Sequence, residues 1–468
     1  MSLSLPRASG SRSRLTALAV AVGGLALYLG GLAQVPFHPD ESTYLFMSRD
    51  FATVFLQRDP AALAWSPEQA LAAQTRYRLL DAPLPRYLIG LGWWSRGYAA
   101  AELNQDWAWD QSWQANRAAG RLPAPELLWA ARLPAAALGA LAAALAYCLG
   151  VALGGPAVGL GAALLLGLNP LMLLHARRAM AEGSLLFTSV LAVLGGLGLA
   201  WAVDGCATPN ARRLGWAGAA TGALIGLAAC SKHNGAVLAA AVLAAAGLAV
   251  WQKPWTPGQR LGALAVTGLA LAAGALAVFA ALNPVLWRDP AGAVRLMATL
   301  RADLIRRQTQ QLGQLAPALS LPTPADRLRA TVLELFLRPP AVWDVAAADH
   351  LGLLQPQADA YFTAPLHRTS VPLGAALAGL TTAGAAFSAL RLARDRCGPA
   401  TRAEQALWSW TLVTLAFTLF ALPFDWQRYF LPLLPPVCLF AALGAQALAA
   451  PLLRRFGSLS GIRHEPTV

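Results

Sequence analysis

Apolar runs of about 20 residues recur along the chain, and a segment of that length is what an α-helix needs to cross a bilayer. Ten runs lie near 15–34, 127–150, 156–174, 183–203, 214–230, 235–251, 261–282, 371–390, 405–422 and 430–450. At membrane depth every backbone N–H and C=O must bond within its own segment, so such runs read as helices. Composition agrees: of the 468 residues 57% are hydrophobic and 13% charged. An ordinary soluble domain carries about 25% charged residues. These values exclude a soluble globular enzyme and a disordered chain. They also exclude an outer-membrane barrel, whose strands would alternate polar and apolar residues. The expected architecture is one all-α polytopic membrane domain over 1–468, a bundle of about ten transmembrane helices. Two long outer segments interrupt it, at 35–125 and 283–370.

The net charge of +13 looks at first like a nucleic-acid signal. Its distribution points elsewhere. The N-terminus, the short loops 204–213, 252–260 and 391–404, and the tail from 451 hold 14 basic and 4 acidic residues. Lys and Arg accumulate in cytoplasmic loops. These loops and both termini are therefore expected in the cytoplasm, and no nucleic-acid partner is needed. The first run follows Arg7, Arg12 and Arg14. A signal peptide has a shorter apolar core of roughly 7–15 residues, so this run reads as an uncleaved first helix. The Arg- and Ala-rich usage, without an ER-retention or organellar signal, suggests a bacterial inner (plasma) membrane. The five cysteines are scattered with no metal-ligand spacing, and no disulfide framework is expected.

The two long segments fall on the outer face, which a bacterium would present to the periplasm. Residues 35–125 hold 9 acidic and 8 basic residues, and 283–370 hold 7 and 9. The stretch PLPRYLIGLGWW at 83–94 has the look of an interfacial helix. Ionisable residues near membrane depth are costly and suggest function. Five clusters qualify, all at outer ends of runs. FHPDESTYLFMSRD (37–50) places Asp40 beside Glu41; on a helix the two point about 100° apart. It is equally a helix start with acids in the first turn. LLDAPLPRYL (79–88) holds Asp81 and Arg86 on an extended, Pro-rich turn, or a plain interfacial turn. NPLMLLHARRAMAEGSLL (169–186) holds His175, Arg177, Arg178 and Glu182; Arg178 and Glu182 are spaced to pair at i,i+4. ACSKHNGAV (229–237) holds Lys232 and His233. The chain has 34 Arg and 2 Lys, so Lys at this turn departs from its own habit. A Lys offers a compact charge to a phosphate, or simply snorkels to the headgroups. PFDWQRYFLPLLPP (423–436) holds Asp425 and Arg428, or an interface anchor with Trp426 and Tyr429.

In order, HPDE with Tyr44, APLPRYL, ARLPAA at 131–136, RRAMAEGSLLF at 177–187, SKHNG at 231–235, NPVLWRDP at 283–290 and WQRYFLPLLP at 426–435 make a pattern. The chain resembles the GT-C membrane glycosyltransferases. In particular it resembles the dolichyl-phosphate-mannose–protein mannosyltransferase and aminoarabinose-transferase group, glycosyltransferase family 39-like. The resemblance covers about 37–436. It implies transfer of a monosaccharide from a polyprenyl-phosphate donor. It implies an Asp of the first outer segment as base, here Asp40 with Glu41 beside it. Lys232, Arg428, Arg86, Arg177 and His233 become the expected ligands of the donor phosphate. Glu182, Tyr44 and Arg178 become positioning residues for sugar or acceptor. Glu182 stands where relatives often have Asp. No cofactor is required for this chemistry, although Asp40 and Glu41 could share a divalent metal.

The expected partners are the lipid-linked donor, membrane lipids and a protein, lipid or glycan acceptor. Two other classes compete. A polyprenyl-lipid transporter would place ionisable residues near the midplane of repeated halves, whereas here they cluster at outer ends. A non-catalytic assembly factor for envelope polysaccharide would need no carboxylate base.

Overall fold

The computed structural model describes residues 11–68, 71–343, 348–395 and 398–459. Among them the regular structure is helical, with one isolated β-bridge between Ser320 and Phe424. Eight helical segments are long and apolar enough to cross a membrane: Arg12–Gln34, Pro125–Gly154, Glu182–Asp204, Ala211–Ser231, His233–Trp251, Pro257–Leu282, Val371–Arg394 and Leu431–Ala450. The run at 405–422 is the helix Pro399–Ala421, which carries Arg402 and Glu404 and is not among the eight.

The run at 156–174 departs from expectation. It breaks into Pro156–Gly167 and Pro170–His175. Pro170 has no N–H and fixes its own φ, which suits the first position of a new helix. Asn169 caps that helix, its Oδ1 accepting the Leu171 N–H at 2.9 Å.

The first helix packs into the bundle. Tyr28 is fully buried, its hydroxyl donates to the Gly167 carbonyl at 3.2 Å, and Arg177 lies over its ring. The apolar core runs from Leu149 and Leu197 through Ile225 and Val242 to Trp410 and Leu443. At the end of the bundle away from the two long segments, Arg402 grips Asp204 with two bonds of 2.7 and 2.8 Å. Arg391 meets Glu404 at 3.1 Å at the same end.

Close backbone approaches set the opposite end. A Cβ on Gly183 would strike the Ala135 carbonyl, so the start of Glu182–Asp204 is pressed onto Pro125–Gly154. A Cβ on Gly235 would strike the Ala228 carbonyl, which keeps the 232–235 turn tight. These two contacts fix where Glu182 and Lys232 begin.

In the first outer segment the APLPR stretch is not extended. A helix runs Pro83–Trp94 with proline at its first turn. It packs on Pro125–Gly154 and buries Trp93, whose indole N–H donates to Ser48 Oγ at 2.9 Å. Arg86 lies on this helix and is buried. In the second segment the long helix Pro290–Leu315 runs past the mouth of a cavity, and the chain then pairs with the 423–425 strand-like stretch.

Candidate active site

The helix Pro39–Met47 starts the site. His38 is its N-cap: its backbone N–H donates to Glu41 Oε2 at 3.0 Å, and its Nδ1 accepts the Asp40 N–H at 3.1 Å. This reciprocal cap satisfies donors that a helix start otherwise leaves open. Spacing along the helix then sorts the side chains. Asp40, Thr43, Tyr44 and Met47 share one face and line a cavity of about 1110 Å³. Glu41 faces the other way and is fully buried.

Five further segments contribute to the cavity wall. Glu182 comes from the start of Glu182–Asp204, Lys232 and His233 from the turn after Ala211–Ser231, and Arg428 and Tyr429 from the turn before the last helix. Arg301 and Arg307 come from Pro290–Leu315, and Tyr77 and Asp81 from the first outer segment. Lys232 Nζ donates to Glu182 Oε1 at 3.1 Å and sits over the Tyr429 ring at 4.9 Å. Arg428 donates to Asp40 Oδ2 at 2.5 Å. Asp40, Glu182, Lys232 and Arg428, four charges from distant parts of the sequence, thus face one cavity as two ion pairs.

The local fields are uneven. Burial, with Arg178 and Arg428 near, pushes the His38 imidazole well below its usual range, so it is neutral. Loss of water pushes the Asp81 carboxyl up; Arg301, at 4.0 Å, and Arg86 oppose this and Asp40 adds to it. Burial also raises the Tyr44 phenol far above its usual value.

Of the ten residues singled out in the sequence, Asp40, Tyr44, Glu182, Lys232, His233 and Arg428 line the cavity. The other four do not. Arg86 donates to Asp50 Oδ2 at 3.0 Å and to the Asp81 and Tyr77 carbonyls. Arg177 contacts His367 Nε2 at 3.2 Å and donates to the Leu27 carbonyl at 2.7 Å. Arg178 donates to the Val342 carbonyl at 2.5 Å, tying the second outer segment down. Residues 176–181 are not helical, so the i,i+4 register between Arg178 and Glu182 does not form, and Glu182 takes Lys232 instead.

Glu41 is the clearest correction of place. Arg132 grips both its oxygens at 2.7 Å, and the Ala179 N–H donates to Oε1 at 2.9 Å. Arg132 also donates to the Leu32 and Val35 carbonyls. This buried pair staples the first helix, the second and the 176–181 loop together. The Asp40 and Glu41 carboxylates therefore do not converge on one ion. Among the described residues no group of three or more His, Cys, Asp and Glu is placed to hold a metal. Breaking a buried pair leaves one charge uncompensated, at about 3–5 kcal/mol. Glu41→Gln is expected to lower the thermal midpoint of the purified protein by that order of stability. A stable Glu41→Gln protein that had lost transfer would instead put Glu41 in the chemistry.

Arg132 belongs to the ARLPAA motif, but a buried counter-ion has no sequence signature of its own. The same holds for Asp50, which takes Arg78 at 2.7 Å and Arg86 at 3.0 Å. Arg301 and Arg307 fall among the nine basic residues of 283–370 and belong to none of the five clusters.

Behind the Arg428 turn, Arg338 bridges Glu334 and Asp425, the latter at 2.7 Å. Burial and the Asp425 charge push the Glu334 carboxyl up to about 7, against the Arg338 contact. An unfolded glutamate releases its proton near 4.5. Between these two values the folded chain holds a proton the unfolded chain has lost, so stability falls as pH rises through that window. The thermal midpoint of the wild type is expected to fall relative to that of Glu334→Gln from pH 5 to pH 8, since Glu404 and the buried histidines titrate alike in both proteins. An equal fall in both proteins would assign it to other groups.

Comparison with known proteins bears on the fold. The family described as dolichyl-phosphate-mannose-protein mannosyltransferase matches residues 62–284. The oligosaccharyltransferase AglB of Archaeoglobus fulgidus, in complex with an inhibitory peptide and a dolichol-phosphate, shares the fold. Its TM-score is 0.52 at 15% identity, over 97% of this chain and 53% of that one. The family match covers just under half of this chain, and the likeness to AglB is one of fold. The apo form of the A. fulgidus enzyme gives the same TM-score of 0.52, at 15% identity over 96% and 53%. ArnT of Cupriavidus metallidurans, bound to undecaprenyl phosphate, aligns at 14% identity over 95% of this chain and 64% of that one, with a TM-score of 0.48. The chain spans about half the length of the archaeal enzyme. A search of curated proteins finds no match.

Proposed function

We propose that this chain is a GT-C glycosyltransferase, which transfers a monosaccharide from a polyprenyl-phosphate donor to an acceptor by an inverting single displacement at the outer face of the membrane. In a bacterial inner membrane, with both termini cytoplasmic, that face is periplasmic. The observation that carries the reading is the pair of ion pairs, Lys232–Glu182 and Arg428–Asp40, facing one cavity at the end of an apolar helix bundle. A binding protein for lipid phosphate needs the cations. It has no need of a carboxylate that lines the cavity beside them.

The acceptor hydroxyl oxygen attacks C1 of the sugar as the C1–O bond to phosphate breaks. Asp40 takes the hydroxyl proton. Polyprenyl phosphate leaves with its charge growing against Lys232 and Arg428, the arrangement that lowers the barrier most when donors are fixed in advance. His38 holds Asp40 by its backbone, and Tyr44, four residues on, borders the same space. Glu182 orients Lys232. Family likeness and the lipid-phosphate ligands of the solved relatives support the donor class. The test is transfer of a radiolabelled hexose or pentose from synthetic undecaprenyl-phosphate sugars to membrane acceptors by the purified chain. Release of no free undecaprenyl phosphate from any such donor would defeat the reading.

A further inference from the structure

The reading above uses the cations of the cavity and the carboxylates beside them, and leaves one wall without a role. That wall is the loop carrying Trp109 and Asp110, both exposed and both lining the cavity, with Trp109 itself 44% exposed. The loop is not loose. Asn116, fully buried, accepts the Ala108 N–H at 3.0 Å and donates to the Ala108, Gln111 and Ser112 carbonyls at 2.9, 3.3 and 3.1 Å. Beneath it Trp113 meets Phe37 and Trp107 edge to face and Phe37 is tilted against Trp107, with ring centroids 5.5–5.9 Å apart. Asp106 anchors the loop to the site by accepting from Tyr77 Oη at 2.9 Å and from Thr43 Oγ1 at 3.1 Å. Thr43 stands one turn along the helix from Asp40. The backbone that carries Trp109 is thus held in register with the proposed base.

We propose that Trp109 and Asp110 form a carbohydrate-binding subsite of this cavity. An indole offers a large flat face with a negative quadrupole, against which the C–H face of a sugar ring packs. A carboxylate beside it accepts hydrogen bonds from ring hydroxyls. Neither group suits a phosphate, which Asp110 would repel. A ring carried on a fixed backbone with only two side-chain torsions also loses little entropy on binding. The sugar could come from the donor or from a glycan acceptor; the subsite rests on the glycosyl-transfer reading for its biological source, and the experiment separates the two.

The full chain in lipid nanodiscs, free of sugar-based detergent, is probed with mannose, glucose, arabinose and mannobiose by saturation-transfer difference NMR. The wild type should show transfer to at least one of them. Trp109→Ala should lower that signal at least fivefold, Trp109→Phe should retain part of it, and Asp110→Asn should weaken it. All variants should bind sugar-free undecaprenyl phosphate as the wild type does. No sugar signal in the wild type, or an equal signal in Trp109→Ala, overturns the subsite. Saturating undecaprenyl-phosphate mannose is then added. Loss of the free-sugar signal assigns the subsite to the donor's sugar, and persistence assigns it to a glycan acceptor. If undecaprenyl phosphate fails to bind while the sugar signal still depends on Trp109, the donor reading falls and the subsite stands.

Discussion

Asp40→Asn is expected to fold, to hold donor, and to lose transfer by about 10²–10⁴-fold, the usual contribution of a positioned acid–base group. The fold should survive because the contact that places the residue is its backbone N–H to His38 Nδ1, which Asn keeps. Asn is also close in shape. What goes is the one carboxylate of the helix that faces the cavity. A second effect follows from the ion pair. Arg428 spends a bond of 2.5 Å on Asp40 Oδ2. A donor phosphate competes with that carboxylate for the same guanidinium. Removing the Asp40 charge removes the competitor, so Asp40→Asn should bind undecaprenyl phosphate more tightly than the wild type. The two readouts are turnover of labelled sugar and equilibrium binding of the sugar-free lipid, at matched protein. Near-normal turnover would leave Asp40 as a helix-start residue. Unchanged lipid affinity would separate the base from the phosphate site.

The bundle was readable because membrane depth leaves the backbone no choice, so apolar length alone marks helices. It failed where a local rule outranked length. Asn169–Pro170 ends one helix and caps another inside a run that hydropathy averages as continuous. Pro-rich APLPR invited an extended reading, yet proline is at home in the first turn of a helix, which is where Pro83 stands.

The site was readable to the extent that the exposed ends of helices carry it. Lys232 stood out against 34 arginines, and Asp40, Glu182 and Arg428 lay at outer ends. What sequence alone could not separate was an ionisable residue facing the cavity from one facing the protein. Asp40 and Glu41 are neighbours in sequence and opposite in fate. Arg86, Arg177 and Arg178 bear the same charge as Arg428 but end in carbonyls and a buried carboxylate, Asp50. Buried charges seek partners, and the partner is set by packing between distant segments. Trp109 gave no signal apart from five other tryptophans in the same segment.

Lys232→Ala and Arg428→Ala are each expected to lower turnover by about 10²–10³-fold, the cost of removing one donor that faces developing charge. Both should also weaken binding of undecaprenyl phosphate. The Lys232 result needs a control, because Glu182 is 3% exposed and Lys232 is its counter-ion. Lys232→Ala strands that carboxylate, and part of the loss could reflect a less stable fold. Replacing both partners by neutral groups of similar size removes the stranded charge and is often harmless to stability. Lys232→Met with Glu182→Gln should therefore recover the thermal midpoint that Lys232→Ala loses. It should not recover transfer or lipid binding, since the cation is still missing. Return of turnover along with stability in the double variant would make Lys232 a structural counter-ion and leave Arg428 as the phosphate ligand of the pair. Arg428 faces no such ambiguity. Asp40, its partner, is 23% exposed on its side chain and has water to replace it. A stable Arg428→Ala protein with unaltered lipid affinity would therefore place the donor phosphate elsewhere in the cavity, with Arg301 and Arg307 the next cations along its wall.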